Sequence, residues 1–211
     1  MAYSDFNLPG LIAQFQLTMV EEQELFAGIE PATVPQSLAE MLSESAPLAL
    51  AINTEKARSE MIVAPILLEL RKLVGRRISL FSGSDFTVAP EQGLTGFCDF
   101  IVSRAREQLF ITAPALIIFE AKNDNIKAGL AQCLAAMLAA QIFNARAGKE
   151  IEAIYGAVTT GSNWKFLRLT QQTVGIDRRE YYLNELDEVL GVLLHIVGED
   201  EPAQVEQQTA A

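Results

Sequence analysis

The chain has 211 residues, enough for one domain with a substantial core, and its 50% hydrophobic and 20% charged residues are a globular composition. The net charge of −11 argues against a uniformly basic polyanion-binding protein. Cys98 and Cys133 lie among apolar neighbours and make no disulfide framework, no apolar run reaches the roughly 18 to 20 uninterrupted residues of a bilayer span, and no basic-then-apolar leader opens the chain. A cytoplasmic protein without a membrane partner is the expectation.

The charge is unevenly spread. Residues 1–50 carry seven acids (Asp5, Glu21, Glu22, Glu24, Glu30, Glu40, Glu44) and no Lys or Arg, and the tail adds Glu199, Asp200, Glu201 and Glu206. Between 51 and 182 there are 13 acids and 16 bases, so the middle of the chain is mildly basic and compatible with a nucleic-acid partner.

In chain order, 1–50 reads as an acidic helical extension packed on the core. Pro35 opens a helix that places Leu38, Met41 and Leu42 at helical spacing. A long amphipathic helix is expected over 54–73, with Met61, Ile62, Pro65, Ile66, Leu68 and Leu70 as core contacts and a kink or break at Pro65. A strand over 78–81 and a turn at Ser82-Gly83-Ser84-Asp85 follow. Further strands are expected over 96–103 and 115–122, separated at Pro114. A helix over 126–144 is capped by Asp124 or Asn125. Its Ala-rich stretch 128–142, interrupted by Gln132 and Gln141, reads as a core helix. Strands over 153–159, 164–169 and 174–177 and a helix over 184–195 complete a domain over 51–197, and the acidic tail 198–211 reads as disordered. The fold class is α/β, an αβββαβ core with a mixed central sheet flanked by helices.

The chemistry concentrates in Leu116-Ile117-Ile118-Phe119-Glu120-Ala121-Lys122. Four large apolar residues read as a strand buried on both faces. Strand side chains alternate, so Glu120 and Lys122 project from one face, and charges at the end of a buried strand must pair, bind metal or do chemistry. Upstream, Asp99 interrupts the apolar strand Gly96-Phe97-Cys98-Asp99-Phe100-Ile101-Val102. If the two strands neighbour each other, Asp99 and Glu120 converge as a hard-oxygen site suited to Mg²⁺, with the Ala121 carbonyl as a further ligand. Lys122 then orients or deprotonates the attacking water, or stabilises charge developing on a phosphate. The competing interpretation is a self-neutralising Asp/Glu/Lys cluster.

The pattern D…E-x-K resembles the PD-(D/E)XK nuclease superfamily over roughly residues 54–178. Lys56-Ala57-Arg58-Ser59-Glu60-Met61-Ile62 is similar to the helical first motif of nuclease domains at the N-terminus of type I restriction subunits, with Glu60 as the matching acid ahead of Glu55. Gln132, in Gly129-Leu130-Ala131-Gln132-Cys133-Leu134, matches the glutamine that many members carry on the helix after the E-x-K strand. The proline usual before the first aspartate is absent, since the chain reads Phe97-Cys98-Asp99. The resemblance implies a restriction-endonuclease-like fold, Mg²⁺ or Mn²⁺ held by Asp99, Glu120 and Ala121, catalytic roles for Glu60, Asp99, Glu120, Lys122 and Gln132, and hydrolysis of phosphodiester bonds, of DNA ahead of RNA. It is compatible with a homodimer. The alternative from another class is an inactive nuclease-fold module for nucleic-acid or protein binding.

Other chemistries have little support. His195 is the single histidine and reads as structural, which leaves nucleophile triads and zinc sites without ligands. No P-loop sequence occurs. Thr159-Thr160-Gly161-Ser162-Asn163 reads as a tight strand connection, and Trp164 as core.

Overall fold

The structure is a computed structural model and describes residues 2–198. Its helices are Leu8–Phe15 (α1), Gln36–Ile52 (α2), Glu55–Arg58 (α3), Ala64–Leu73 (α4), Ile126–Arg146 (α5) and Leu186–Gly198 (α6). Its strands are Thr18–Val20 (β1), Ser79–Asp85 (β2), Phe97–Ser103 (β3), Ala115–Ala121 (β4), Ile154–Thr159 (β5), Asn163–Thr170 (β6), Thr173–Ile176 (β7) and Tyr181–Tyr182 (β8). They form one mixed sheet in the order β1-β7-β6-β5-β4-β3-β2, with β8 also paired to β6. The sheet has an apolar layer on each face. One contains α5 together with Tyr3 and Leu11 of the N-terminal segment, and the other is built from α2, α4 and α6. The element sequence α4, β2, β3, β4, α5, β5 follows the order read from the chain. The expectation of a disordered tail falls on residues beyond 198, outside those described.

Three local expectations need correction. Ser82 to Asp85 is strand rather than turn, because β2 keeps pairing with β3 through Ser82↔Phe100, Ser84↔Cys98 and Asp85↔Phe97. Residues 1–50 are not wholly helical: β1 extends the sheet by pairing in parallel with β7. Met41 and Leu68 are exposed, because the buried faces of their helices carry Leu38 and Leu42 in α2 and Ile66, Leu67 and Leu70 in α4. α5 is long and apolar enough by length and composition to cross a membrane, and 67% of its most apolar stretch is buried within the fold, as expected of a core helix.

The break at Pro65 is visible in physical detail. Proline has no N–H for the carbonyl four residues earlier, which is that of Met61. The preceding turn widens to a π-helix over Ser59–Val63, and the Ser45 hydroxyl donates to the Met61 oxygen at 2.7 Å. A helix discontinuity is thereby satisfied from α2.

α5 fixes the centre of the sheet. Asn125 caps it, accepting from the Ala128 N–H at 3.3 Å. At its other end the buried Asn144 side chain makes two hydrogen bonds to Ala115, accepting from N at 2.8 Å and donating to O at 2.9 Å. Near its start, Gly129 lies so close to β4 and β5 that an added Cβ would stand 2.6 Å from Val158 Cγ1, 3.3 Å from Lys122 Cγ and 3.4 Å from Glu120 Cγ. Val158 is β-branched and fully buried, so it gives way poorly. Gly129→Ala should therefore lose about 1 kcal/mol or more in urea unfolding, overpacking outweighing the roughly 1 kcal/mol gain in helix propensity. An unchanged or raised midpoint would show that α5 has room to move away.

Candidate active site

β4 and β5 run in parallel and end together, with Ala121 paired to Thr159 and the Lys122 N–H donating to the Thr159 carbonyl at 2.8 Å. The antiparallel partner β3 pairs Phe100 with Phe119, and one step further along that register brings Asp99 opposite Glu120. Asp99 Oδ2 accepts the Ala121 N–H at 2.7 Å, so the aspartate closes the end of the β3–β4 ladder. A carboxylate has about four acceptor sites, so this bond does not exhaust it.

Lys122 is the hub. Its Nζ lies 2.6 Å from Glu120 Oε1, 3.4 Å from Gln132 Oε1 and 3.9 Å from Glu55 Oε1. Its side chain is 15% exposed and Glu120 as a residue only 3%. Burial and the neighbouring Asp99 carboxylate push the Glu120 carboxyl up from the ordinary 4.5 to about 8, against the opposing pull of Lys122. Burial also raises Asp99, opposed by the Ala121 hydrogen bond and by Lys122. For Lys122 burial disfavours the charge, but the hydrogen bond and charge of Glu120, with Glu55 and Asp99, outweigh it and hold the ammonium protonated.

Of the five catalytic residues expected from the sequence, the structure brings Asp99, Glu120, Lys122 and Gln132 together and leaves Glu60 out. Glu60 is 59% exposed and pairs with Lys56 at 3.1 Å. The physical reason is helical phase. Thr54 caps α3, accepting from the Ala57 N–H at 3.1 Å; Arg58 and Ile62 then face the β5–β6 turn, and Glu55, itself 53% exposed, lies at the edge of that face within 3.9 Å of Lys122. Glu60, five residues beyond Glu55, is rotated by about 140°. Glu55 is the acid of this helix that reaches the site, and the i, i+3, i+7 series through Arg58 and Ile62 is the signal that singles it out. Arg58 fastens this face to the β5–β6 turn. Its guanidinium donates to the Thr160 carbonyl at 2.7 Å and to Asn53 Oδ1 at 3.0 and 3.1 Å. Gly161, at a φ of +78° and against Ile62, makes that turn as tight as its sequence suggests.

Glu120 and Lys122 are largely withdrawn from solvent. Among the described residues no group of three or more His, Cys, Asp and Glu side chains is placed to hold a metal ion. Mg²⁺ needs only one or two carboxylates beside its waters, and Asp99, Glu120 and the Ala121 carbonyl are hard-oxygen donors of that kind. A cavity of about 620 Å³ opens beside the first turn of α5, bordered by Lys127, Lys165 and Arg178 and also by the acids Glu21, Asp177 and Glu180. His195 lies edge-on to Phe26 and Trp164 is fully buried, both away from this chemistry.

Compared with protein-family models and with curated proteins, the chain matches none.

The protonation of Glu120 makes a signed prediction for the protein in EDTA. Its pKa is raised on folding, so between about pH 4.5 and 8 the folded state binds more protons than the unfolded one. Stability contributed by this proton is present below that window and lost across it as pH rises, with a slope of up to about 1.4 kcal/mol per pH unit. Asp99 acts in the same direction, and Lys122, titrating higher, contributes nothing there. Urea unfolding from pH 5 to 8 should show the fall, and Glu120→Gln should flatten it. An equal slope in that variant would mean that Glu120 is ionised throughout.

Proposed function

We propose that this chain is a metal-dependent nuclease of the restriction-endonuclease-like kind, hydrolysing phosphodiester bonds of DNA. The observation that carries the reading is the convergence of Lys122 with Glu120, Glu55 and Gln132 at the end of β4, with Asp99 across from it on β3. The order α4, β2, β3, β4, α5, β5 supports the same fold. Asp99, Glu120 and the Ala121 carbonyl would hold Mg²⁺ or Mn²⁺, which supplies an activated water and polarises the phosphoryl oxygen. The two carboxyl groups shed their protons to do so, which their raised pKa values make easier at pH 8 than at pH 6. Lys122 is held protonated, so its role is to orient the water and stabilise charge on the phosphate rather than to remove a proton. Gln132 and Glu55 position the ammonium through the contacts they make with it. A nucleic-acid strand approaching from the α5 side would pass Lys127 and Lys165 at the rim of the neighbouring cavity.

One observation favours the second reading, a nuclease-fold module without catalysis. Glu120 is already hydrogen-bonded by Lys122 at 2.6 Å, and Asp99 is engaged in closing the β3–β4 ladder. A site satisfied in this way can be purely structural.

The two readings part in one experiment. With plasmid or linear DNA the protein should cleave in Mg²⁺ or Mn²⁺ and be silent in EDTA. Lys122→Ala should lower the rate about tenfold or more while Mn²⁺ binding, read by calorimetry, persists. Asp99→Ala should abolish both. Glu55→Gln should impair cleavage and Glu60→Gln should leave it unchanged. DNA binding without cleavage across metals and substrates would establish the module instead.

A further inference from the structure

α2 carries an apolar stripe that the fold does not use. Its buried face is Leu38, Leu42, Ala46 and Ala49. Met41, Leu48 and Ile52 are respectively 54%, 53% and 46% exposed. With Ser45 between them they fall at i, i+4, i+7 and i+11, the spacing of a coiled-coil seam, and lie within about 60° of one another around the helix. The stripe is about 16 Å long, three helical turns. Isolated exposed apolar residues are ordinary, but three in seam register on one helix form a surface. Ser45 faces the neighbouring helix, donating to the Met61 carbonyl, so the stripe borders the packed pair of helices rather than standing apart from the body.

The surrounding charge says what fits. Glu40 and Glu44 are exposed on α2, and no Lys or Arg occurs before Lys56. A second copy of α2 would bring no Lys or Arg to Glu40 and Glu44, and a nucleic acid would meet charge of its own sign. We propose that the Met41–Leu48–Ile52 stripe is a docking surface for a basic amphipathic helix of a partner protein. The partner's apolar seam would lie along the stripe, with Lys or Arg at the flanking positions against Glu40 and Glu44. This surface is formed by α2, whereas the Lys122 cluster lies at the end of β4, so the proposal stands whether or not that site is catalytic.

The test uses the full chain and a fluorescein-labelled synthetic helix of Leu and Lys in heptad order, with two controls. One control has the same composition in an order that gives no apolar seam, and the other replaces Lys by Glu. Anisotropy should show binding of the Leu/Lys heptad peptide alone, weakened by salt. Leu48→Asn combined with Ile52→Asn should weaken it about tenfold or more at an unchanged unfolding midpoint, since neither residue is core. Glu40→Gln with Glu44→Gln should reduce the salt dependence. Equal binding by the Leu48→Asn/Ile52→Asn protein, or equal binding of the Leu/Glu peptide, would overturn the proposal. So would a dimer seen by light scattering that these two substitutions dissolve, because the occupant would then be a second copy.

Discussion

The close seating of α5 on β4 and β5 is the constraint on which the rest of the molecule depends. The helix is held at both ends of β4 by different means. Asn144 supplies a buried amide that completes the backbone bonding of Ala115, and Gly129 removes the side chain that would otherwise hold the helix away from Val158 and Glu120. A satisfied buried amide is specific because leaving Ala115 unpaired costs a full desolvation penalty. Between these points, Cys133 and Met137 pack against Gly156 of β5 and are fully buried. Small residues bring the backbones near, and nearness brings Gln132 within reach of Lys122.

That seating also creates the electrostatic tension at the end of β4. With α5 close, Glu120 is cut off from water, and desolvation rather than any single neighbour is the main reason its carboxyl resists ionisation. Lys122 offsets part of the cost, and Glu55 and Gln132 complete the surroundings of the ammonium. Structural neutrality and readiness to bind a cation are two outcomes of the same arrangement. They differ in whether a cation can outcompete the ammonium for Glu120, a matter of free energy rather than of geometry.

The N-terminal fifty residues belong to the body of the protein. β1 lengthens the sheet, Tyr3 and Leu11 enter the α5-side core, and Phe26 lies against Tyr155 and Phe166 on the other face. The buried Asp177 ties this segment down by accepting from the Leu25 N–H at 3.3 Å and from the Tyr181 hydroxyl at 3.1 Å. Acids of the segment are thereby held against bases of the middle of the chain: Glu24 pairs with Arg178, and Glu21 borders the cavity that Lys127 and Lys165 also line.

The sequence by itself determined the elements whose pattern is local. The apolar run ending in Glu120 and Lys122, the alternation that sets those two on one face, the helix break at Pro65 and the Asn125 cap all follow from side-chain periodicity and backbone chemistry within a few residues. The pairing of β1 with β7, the continuation of β2 through Ser82 to Asp85 and the choice of Glu55 over Glu60 were decided by tertiary structure. Each depends on a partner distant in the chain: Thr173 to Gly175 for β1, Cys98 to Phe100 for β2, and Lys122 and Thr160 for the phase of α3. Local sequence lists the acids a helix can offer. Only packing against the sheet fixes the rotation that brings one of them to Lys122, because pairing energies are set by neighbours that the local sequence does not contain.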